Sequence, residues 1–297
     1  MKKRTLLYLL LLVLAMFLPC CSDSVEEISQ TSRIEDRGFF GLYDRQEQIL
    51  IQDFDTHVYL NDCNVDTEKF TLPTVFAEEI IINSVGEQAF SNNDVLKDLT
   101  IPDGYINVEM FSFYNCKNLE RVYFGKDVEY IGESAFMFCN SIEEYSVSPD
   151  NPHLYESDGC VLSRKDNTIL LSNGKMPKEV KNIGRSAFRA LDNISHISIP
   201  QGCETIGGYS FDKSTLCSVT IPESVKLIEK GAFSSTKLKE VYIPENVERM
   251  EFGVFAGIDG LIINCEAETK PAGWDEEWLG YCTNYQLNWG VKRDAVE

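Results

Sequence analysis

Three histidines and ten cysteines hold whatever nucleophilic or metal chemistry this chain could perform, and their spacing argues against both. Covalent catalysis by a thiol needs an imidazole beside it. His57, His153 and His196 fall in three separate stretches, and the register of the chain brings none of them beside a cysteine. There is no Cys-x-x-Cys pair of the kind that builds zinc sites, and no glycine loop that would cradle a phosphate. Asp150, Asp158 and Asp166 are close in sequence, but they lack the alternating spacing of a calcium loop, and Asp-Gly and Asp-Asn are ordinary turn residues. The reading is a chain with no catalytic residue, no metal and no cofactor.

What positions the remaining residues is a ladder of phenylalanines. Phe90, Phe113 and Phe136 are 23 residues apart; Phe188, Phe211, Phe233 and Phe255 follow at 23, 22 and 22, after one step of 52. Around each Phe stand a small residue before it, an apolar residue five or six later, and then an apolar-x-apolar pair. A unit this short cannot enclose a core, so successive copies must stack as a solenoid. Alternation turns Leu99/Ile101, Val122/Phe124, Tyr145/Val147, Ile197/Ile199, Val219/Ile221, Val241/Ile243 and Leu261/Ile263 inward from short parallel strands. Seven such strands make a sheet roughly 30 Å wide, over a continuous spine of stacked Phe rings. Pro102, Pro200, Pro222 and Pro244 lack an N–H and end the strands. Cys116 and Cys139, each three residues after a Phe, become stacked neighbours, packed as buried thiols because parallel Cβ atoms suit a disulfide badly. Cys265 and Cys282 are the pair expected to bridge if any does.

The strings Ile199-Pro200, Ile221-Pro222 and Ile243-Pro244, followed by Gln201-Gly202-Cys203, Glu223-Ser224-Val225 and Glu245-Asn246-Val247 and then the small-Phe pair, carry a resemblance. They resemble the BspA-like leucine-rich repeats of surface proteins from Bacteroides-type bacteria and some protozoa, over roughly residues 70–290. Copies depart from the pattern at Phe124-Gly125, which replaces Ile-Pro, and at Ser210, which replaces Ala. The resemblance implies a right-handed leucine-rich repeat solenoid, β-rich, with a parallel sheet on one face and short helical or irregular segments on the other. It implies an interaction role and transfers no catalytic residue, so the chain is read as no enzyme.

The outward positions of the sheet form two columns. Thr100, Tyr123, Ser146, Ser198, Thr220, Tyr242 and Ile262 make one; Asp98, Arg121, Glu144, His196, Ser218, Glu240 and Gly260 make the other. Repeat proteins bind partners on such faces. The candidate binding residues are Arg121, Tyr123, Glu144, His196, Glu240 and Tyr242, a mixture suited to protein or glycan contact.

Residues 1–21 read as a signal peptide: Lys2, Lys3 and Arg4, an apolar run from Leu6 to Leu18, then Cys20-Cys21. The ending resembles a lipoprotein box with Cys21 as the acylated residue, and Asp23, Glu26 and Glu27 resemble the surface-export tag of Bacteroides-type lipoproteins. Loss of residues 1–21 removes those three bases and no acid, taking the net charge from −20 to −23. That balance excludes nucleic acid, whose phosphates need a basic footprint, and leaves a lipid anchor as the only membrane attachment. Residues 22–40 read as an acidic tether and 41–76 as a β-rich N-terminal cap. Repeats then run over 77–264, with a hairpin insertion at about 147–176. A C-terminal cap at 265–297 holds Trp274, Trp278 and Trp289. The function expected is an exported, outer-membrane or cell-surface lipoprotein that mediates adhesion or binds a host or bacterial surface protein. The alternative is a glycan-binding accessory lipoprotein, which would use exposed tyrosines or the Trp-rich end.

Overall fold

The computed structural model describes residues 34–36, 42–44, 49–54, 57–63, 65–76 and 80–292. Among them there are strands and turns and no helix. Each turn of the solenoid lays down a longer strand and then a two-residue strand, as in Asp98–Ile101 followed by Asn107–Val108, and Arg121–Phe124 followed by Tyr130–Ile131. The longer strands form a parallel front sheet in three pieces, of four, two and three strands. Their register places Phe70, Leu99, Val122 and Tyr145 side by side. The two-residue strands form a parallel back ladder, with Val85, Val108 and Ile131 in line, and Ile183, Ile206, Ile228 and Met250 in line further on.

The repeated motif explains both corners. After the front strand, the carbonyls of Pro200, Pro222 and Pro244 each accept the N–H three residues on, at 3.2 Å, which closes a tight turn. After the back strand the preceding coil passes close, and the residue there, Gly in some copies and Glu109, Glu229 and Glu251 in others, binds that coil's carbonyl. A Cβ on Gly207 would sit 2.5 Å from the Ile183 carbonyl oxygen, which the Gly207 N–H itself binds at 2.8 Å.

The third side of the coil corrects the sequence reading. Short helical segments were expected there; the chain instead makes paired left-handed turns. The residues two before and two after each Phe have positive φ: Gln88 and Asn92 at 61° and 63°, Phe111 and Asn115 at 57° and 59°, Tyr209 and Lys213 at 55° and 59°. A helix needs consecutive residues near −63° and cannot survive this alternation. In exchange, the turns bond to one another along the solenoid. Phe113 N–H reaches Ala135 O at 2.9 Å and Asn115 N–H reaches Met137 O at 2.8 Å, and the same pair recurs at Phe211 and Lys213.

The Phe rings stack, but in two columns rather than the single spine expected. Phe90, Phe113 and Phe136 lie 4.9 Å apart; Phe188, Phe211, Phe233 and Phe255 lie 4.9, 5.4 and 5.7 Å apart. The insertion divides them. Leu154–Ser157, Cys160–Ser163 and Thr168–Ser172 form an antiparallel meander, and the last of these pairs parallel with Asn182–Ile183. Side chains on its two faces feed two cores: Leu154, Val161 and Leu171 join the N-terminal one, Cys160, Leu162 and Ile169 the C-terminal one. A strand buried on both faces reads as a continuous apolar run, which is what Cys160-Val161-Leu162 is.

The separate N-terminal cap is also corrected. His57–Cys63 pairs parallel with Ser84–Val85, and Lys69–Thr71 pairs parallel with Asp98–Ile101, so both are first rungs of the solenoid itself. Antiparallel strands Ile49–Phe54, Leu42–Asp44 and Ile34–Asp36 extend the back ladder beyond them. Residues 1–33, with Cys21, lie outside the described residues. At the other end Trp274 and Trp278 are buried over the last coil, the Trp278 ring 6.0 Å from Phe255 and the Trp274 indole N–H donating to Val247 O at 2.9 Å. Cys265 and Cys282 are both buried and free, so no bridge closes this end.

Candidate functional site

The front sheet buries one side of each strand and, among the described residues, leaves the other uncovered. Leu99, Ile101, Val122, Phe124, Ile197, Ile199, Val241 and Ile243 are buried, while Arg121, Tyr123, Glu144, His196 and Glu240 on the same strands are exposed. Tyr242 is half-buried. Pleating alone produces this split, since neighbouring residues of a strand point to opposite faces.

Of the six candidates, three meet directly. Arg121 stands between Asp98 and Glu144 in one column, and Tyr123 stands between Thr100 and Ser146 in the next. Glu240 and Tyr242 share a strand in the last piece of the sheet, and His196 lies between the two groups, beside Ser218. The face is held in order by its own contacts. Asp98 binds Arg121 Nε at 2.5 Å and Lys69 Nζ at 3.0 Å. The Ser146 hydroxyl donates to Glu144 at 2.7 Å, and His196 Nδ1 is 3.1 Å from the Ser218 hydroxyl. The Arg121 hydrogen bond, with Lys69 adding to it, holds the Asp98 carboxyl below the usual carboxylate range, and the same bond pushes the Arg121 guanidinium up.

The last rung was misplaced by two residues in the sequence reading. Glu240 pairs with Ile262 and Tyr242 with Asn264, so the inward pair is Ile263 and Cys265, and Gly260 precedes the strand. The parity survives, because a shift of two keeps Ile262 outward. The signal was available: Ile263 follows Phe255 by eight residues, as Val241 follows Phe233. The correct register adds residues the sequence reading missed. Asn264 donates to Glu240 at 2.7 Å, and Asn288 to Asn264 at 2.8 Å, an amide ladder that continues the column past Tyr242. Lys69 was missed as well, because its strand had been assigned to the cap.

At the Trp-rich end two of the three tryptophans are spent on packing, while Trp289 is half-buried and Tyr281 and Tyr285 are exposed. Trp274 and Trp278 are each only 3% exposed, and their faces are spent on Phe255, on each other and on Trp289. Of the eight cysteines among the described residues, seven are buried. Cys116 and Cys139 donate to the Phe90 and Phe113 carbonyls at 3.1 and 2.9 Å, and burial pushes the Cys139 thiol well up, away from the nucleophilic thiolate. No cluster of three or more His, Cys, Asp or Glu suited to a metal occurs among the described residues.

A profile of the BspA type leucine rich repeat region matches the chain in 6 copies, over residues 61–157 and 166–272. The chain belongs to the BspA-type leucine-rich repeat family. The unmatched residues 158–165 hold the turn after Leu154–Ser157, the strand Cys160–Ser163 and the start of the next turn, and the match at 61 begins inside the strand His57–Cys63. No curated protein matches. Among solved structures, the chain is similar to a leucine rich cell surface protein from Faecalibacterium prausnitzii, at 24% identity and a TM-score of 0.43, covering 83% of this chain and 57% of that one. It is also similar to the pneumococcal vaccine antigen PcpA, at 17% identity and TM-score 0.41 over 87% and 86%, and to a leucine-rich repeat protein from Bacteroides ovatus, at 18% and 0.40 over 80% and 75%. The chain thus spans little more than half of the Faecalibacterium protein. No helix among the described residues is long and apolar enough to cross a membrane.

Proposed function

We propose that this BspA-type repeat protein is a non-enzymatic cell-surface protein that binds a host or bacterial surface protein along its front sheet, as an adhesin or interaction module. One observation supports it above the others: a parallel sheet is normally covered on both faces, and this one, among the described residues, is covered on one. Along the open face run Arg121, Tyr123, Glu144, His196, Glu240 and Tyr242, tied into register by Asp98, Ser218 and Asn264. Side chains ordered before binding lose less entropy on it, and tyrosine offers large rigid area with a hydroxyl. Export and a lipid anchor at Cys21, in the outer membrane or at the cell surface, complete the proposal, with no role for nucleic acid.

The test is a double Tyr123→Ser, Tyr242→Ser variant, measured against panels of host matrix proteins and bacterial surface proteins and on a glycan array. Protein binding weakened by more than about 1 kcal/mol at unchanged unfolding supports the proposal. Unchanged binding overturns it for these positions, and a glycan signal lost in the variant would favour the glycan-binding reading, for which the exposed tyrosines are the remaining support. For the anchor, Cys21→Ser should leave a precursor that keeps its signal peptide, while Cys20→Ser should mature normally.

A further inference from the structure

The back ladder is broken once, and the break leaves two bare strand edges. Tyr130–Ile131 ends one seven-stranded sheet and Leu154–Ser157 ends the other, with no strand among the described residues paired to either on its outer side. Between them lies a cleft of about 380 Å³, lined by Tyr130, Ile131, Leu154, Arg164, Lys165 and neighbours. Its floor is apolar, because Ile131 and Leu154 are buried and Leu170 packs on the N-terminal core. Its rim carries one aromatic ring and two cations: Tyr130 is 46% exposed, and Arg164 and Lys165 are exposed, with the His153 ring beside them.

The walls are fixed in advance. Asn151, 2% exposed, donates to Gly125 O and Val128 O at 2.8 and 2.9 Å and accepts from the His153 and Leu154 amides at 2.8 and 2.7 Å. It thereby sets the insertion against the last N-terminal coil. Arg164 Nε donates to the Asn151 and Leu154 carbonyls, 3.0 Å each, and its guanidinium lies 5.3 Å over the Tyr155 ring. In a chain with 47 acidic and 27 basic residues, this cleft sets Arg164 and Lys165 against one lining carboxylate among the described residues, Glu129, while Glu109 and Glu133 also act on Tyr130. That local reversal of charge selects the partner.

We propose that the cleft takes an extended acidic peptide, which adds to the bare edge of Tyr130–Ile131 and sets its carboxylates against Arg164 and Lys165. Strand addition supplies affinity through the main chain and specificity through alternate side chains. Apolar residues of the peptide point down to Leu154 and Leu170, and its acids point up to the rim. An edge left unprotected is a template for such pairing, and the other face of the molecule is not involved.

The probe is a fluorescent, acetylated peptide of alternating Glu and Val, six residues long, with a Lys and Val peptide as its opposite, read by anisotropy on the intact protein. The acidic peptide is expected to bind at least tenfold more tightly than the basic one and to weaken with added salt. Lys165→Glu, at an exposed rim position, should reduce its affinity at least fivefold, whereas Lys239→Glu, on the front-sheet side, should leave it unchanged. Amide exchange at Ile131 should slow on binding. Absence of binding, equal binding of both peptides, insensitivity to Lys165→Glu, or displacement by a sulfated oligosaccharide that the same substitution abolishes would each overturn the proposal. Because the Tyr123 and Tyr242 variant leaves this cleft intact, failure here and failure of the front-sheet reading are separable.

Discussion

Arg189 Nη1 donates to the Ser134 hydroxyl at 3.2 Å, although 55 residues and the whole insertion separate them. The same guanidinium binds Asp212 at 3.0 Å and lies 5.3 Å over the Tyr209 ring, so one side chain ties the N-terminal half to its own coil and to the single coil after it. Nearby, Arg185 spans the same divide, reaching Glu133 at 2.7 Å and Glu229 at 3.0 Å. These contacts stand where the Phe column is interrupted.

The two arginines should not be equal in stability. Asp212 is nearly buried, its other side-chain partner being the Ser234 hydroxyl at 2.6 Å, so Arg189→Ala leaves a desolvated carboxylate without its cation. A loss of about 2–3 kcal/mol is expected in urea unfolding, the low side for a broken buried pair because Arg189 is partly exposed. Arg185 and Glu133 are both well exposed, and Arg185→Ala should cost about 1 kcal/mol or less. Equal losses would show that the divide is not held through Asp212.

The left-handed turns predict a stabilising substitution. Gln88 is exposed at φ 61°, where a Cβ is crowded, so Gln88→Gly should raise stability by roughly 0.5–1 kcal/mol despite the flexibility glycine brings to the unfolded chain. Gly231 occupies the same place before Phe233, at φ 64°, and a Cβ there would lie 2.6 Å from the Tyr209 ring. Gly231→Ala should therefore destabilise. Thermal unfolding of the two variants decides, and the same sign for both would contradict the account.

Thiol reactivity should separate one cysteine from the rest of those described. Cys217 is exposed, whereas burial pushes the Cys160 and Cys265 thiols to about 12 and Cys203 to about 11. At pH 8 the reactive thiolate is scarce at all three buried positions. Peptide mapping after brief iodoacetamide treatment of the native protein should find Cys217 modified first, and Cys160, Cys203 and Cys265 only after denaturation.

Acid should weaken the front sheet in a defined window. The folded-state carboxyl of Asp98 is held low by Arg121 and Lys69, so it contributes stability above its unfolded value of about 3.9 and loses that contribution as pH falls through the lower folded value. Asp98→Asn should flatten the fall in urea midpoint below about pH 4. The difference should shrink in high salt, since the pairs are partly solvated. A variant whose acid profile overlays the parent would remove Asp98 from the sheet's electrostatics.

The sequence by itself determined the solenoid, its family, and which side of each front strand faces out. A repeat of 22 or 23 residues and a period of two are local properties, so Tyr123 and Tyr242 could be placed on the open face without coordinates. The tertiary structure decided what local pattern leaves degenerate. Whether the residues around each Phe form a short helix or left-handed turns depends on hydrogen bonds to the next coil, such as Phe113 N–H to Ala135 O, which no single repeat contains. A slip of two in the last rung keeps the same side of the strand inward, so apolar alternation alone permits it; the spacing from Phe255 carries the right register, and pairing with the strand before it sets Asn264 opposite Tyr242. The meander could be read as a hairpin, but its burial between two cores, and the cleft it opens beside Tyr130, follow from contacts as distant as Asn151 with Gly125 and Arg189 with Ser134.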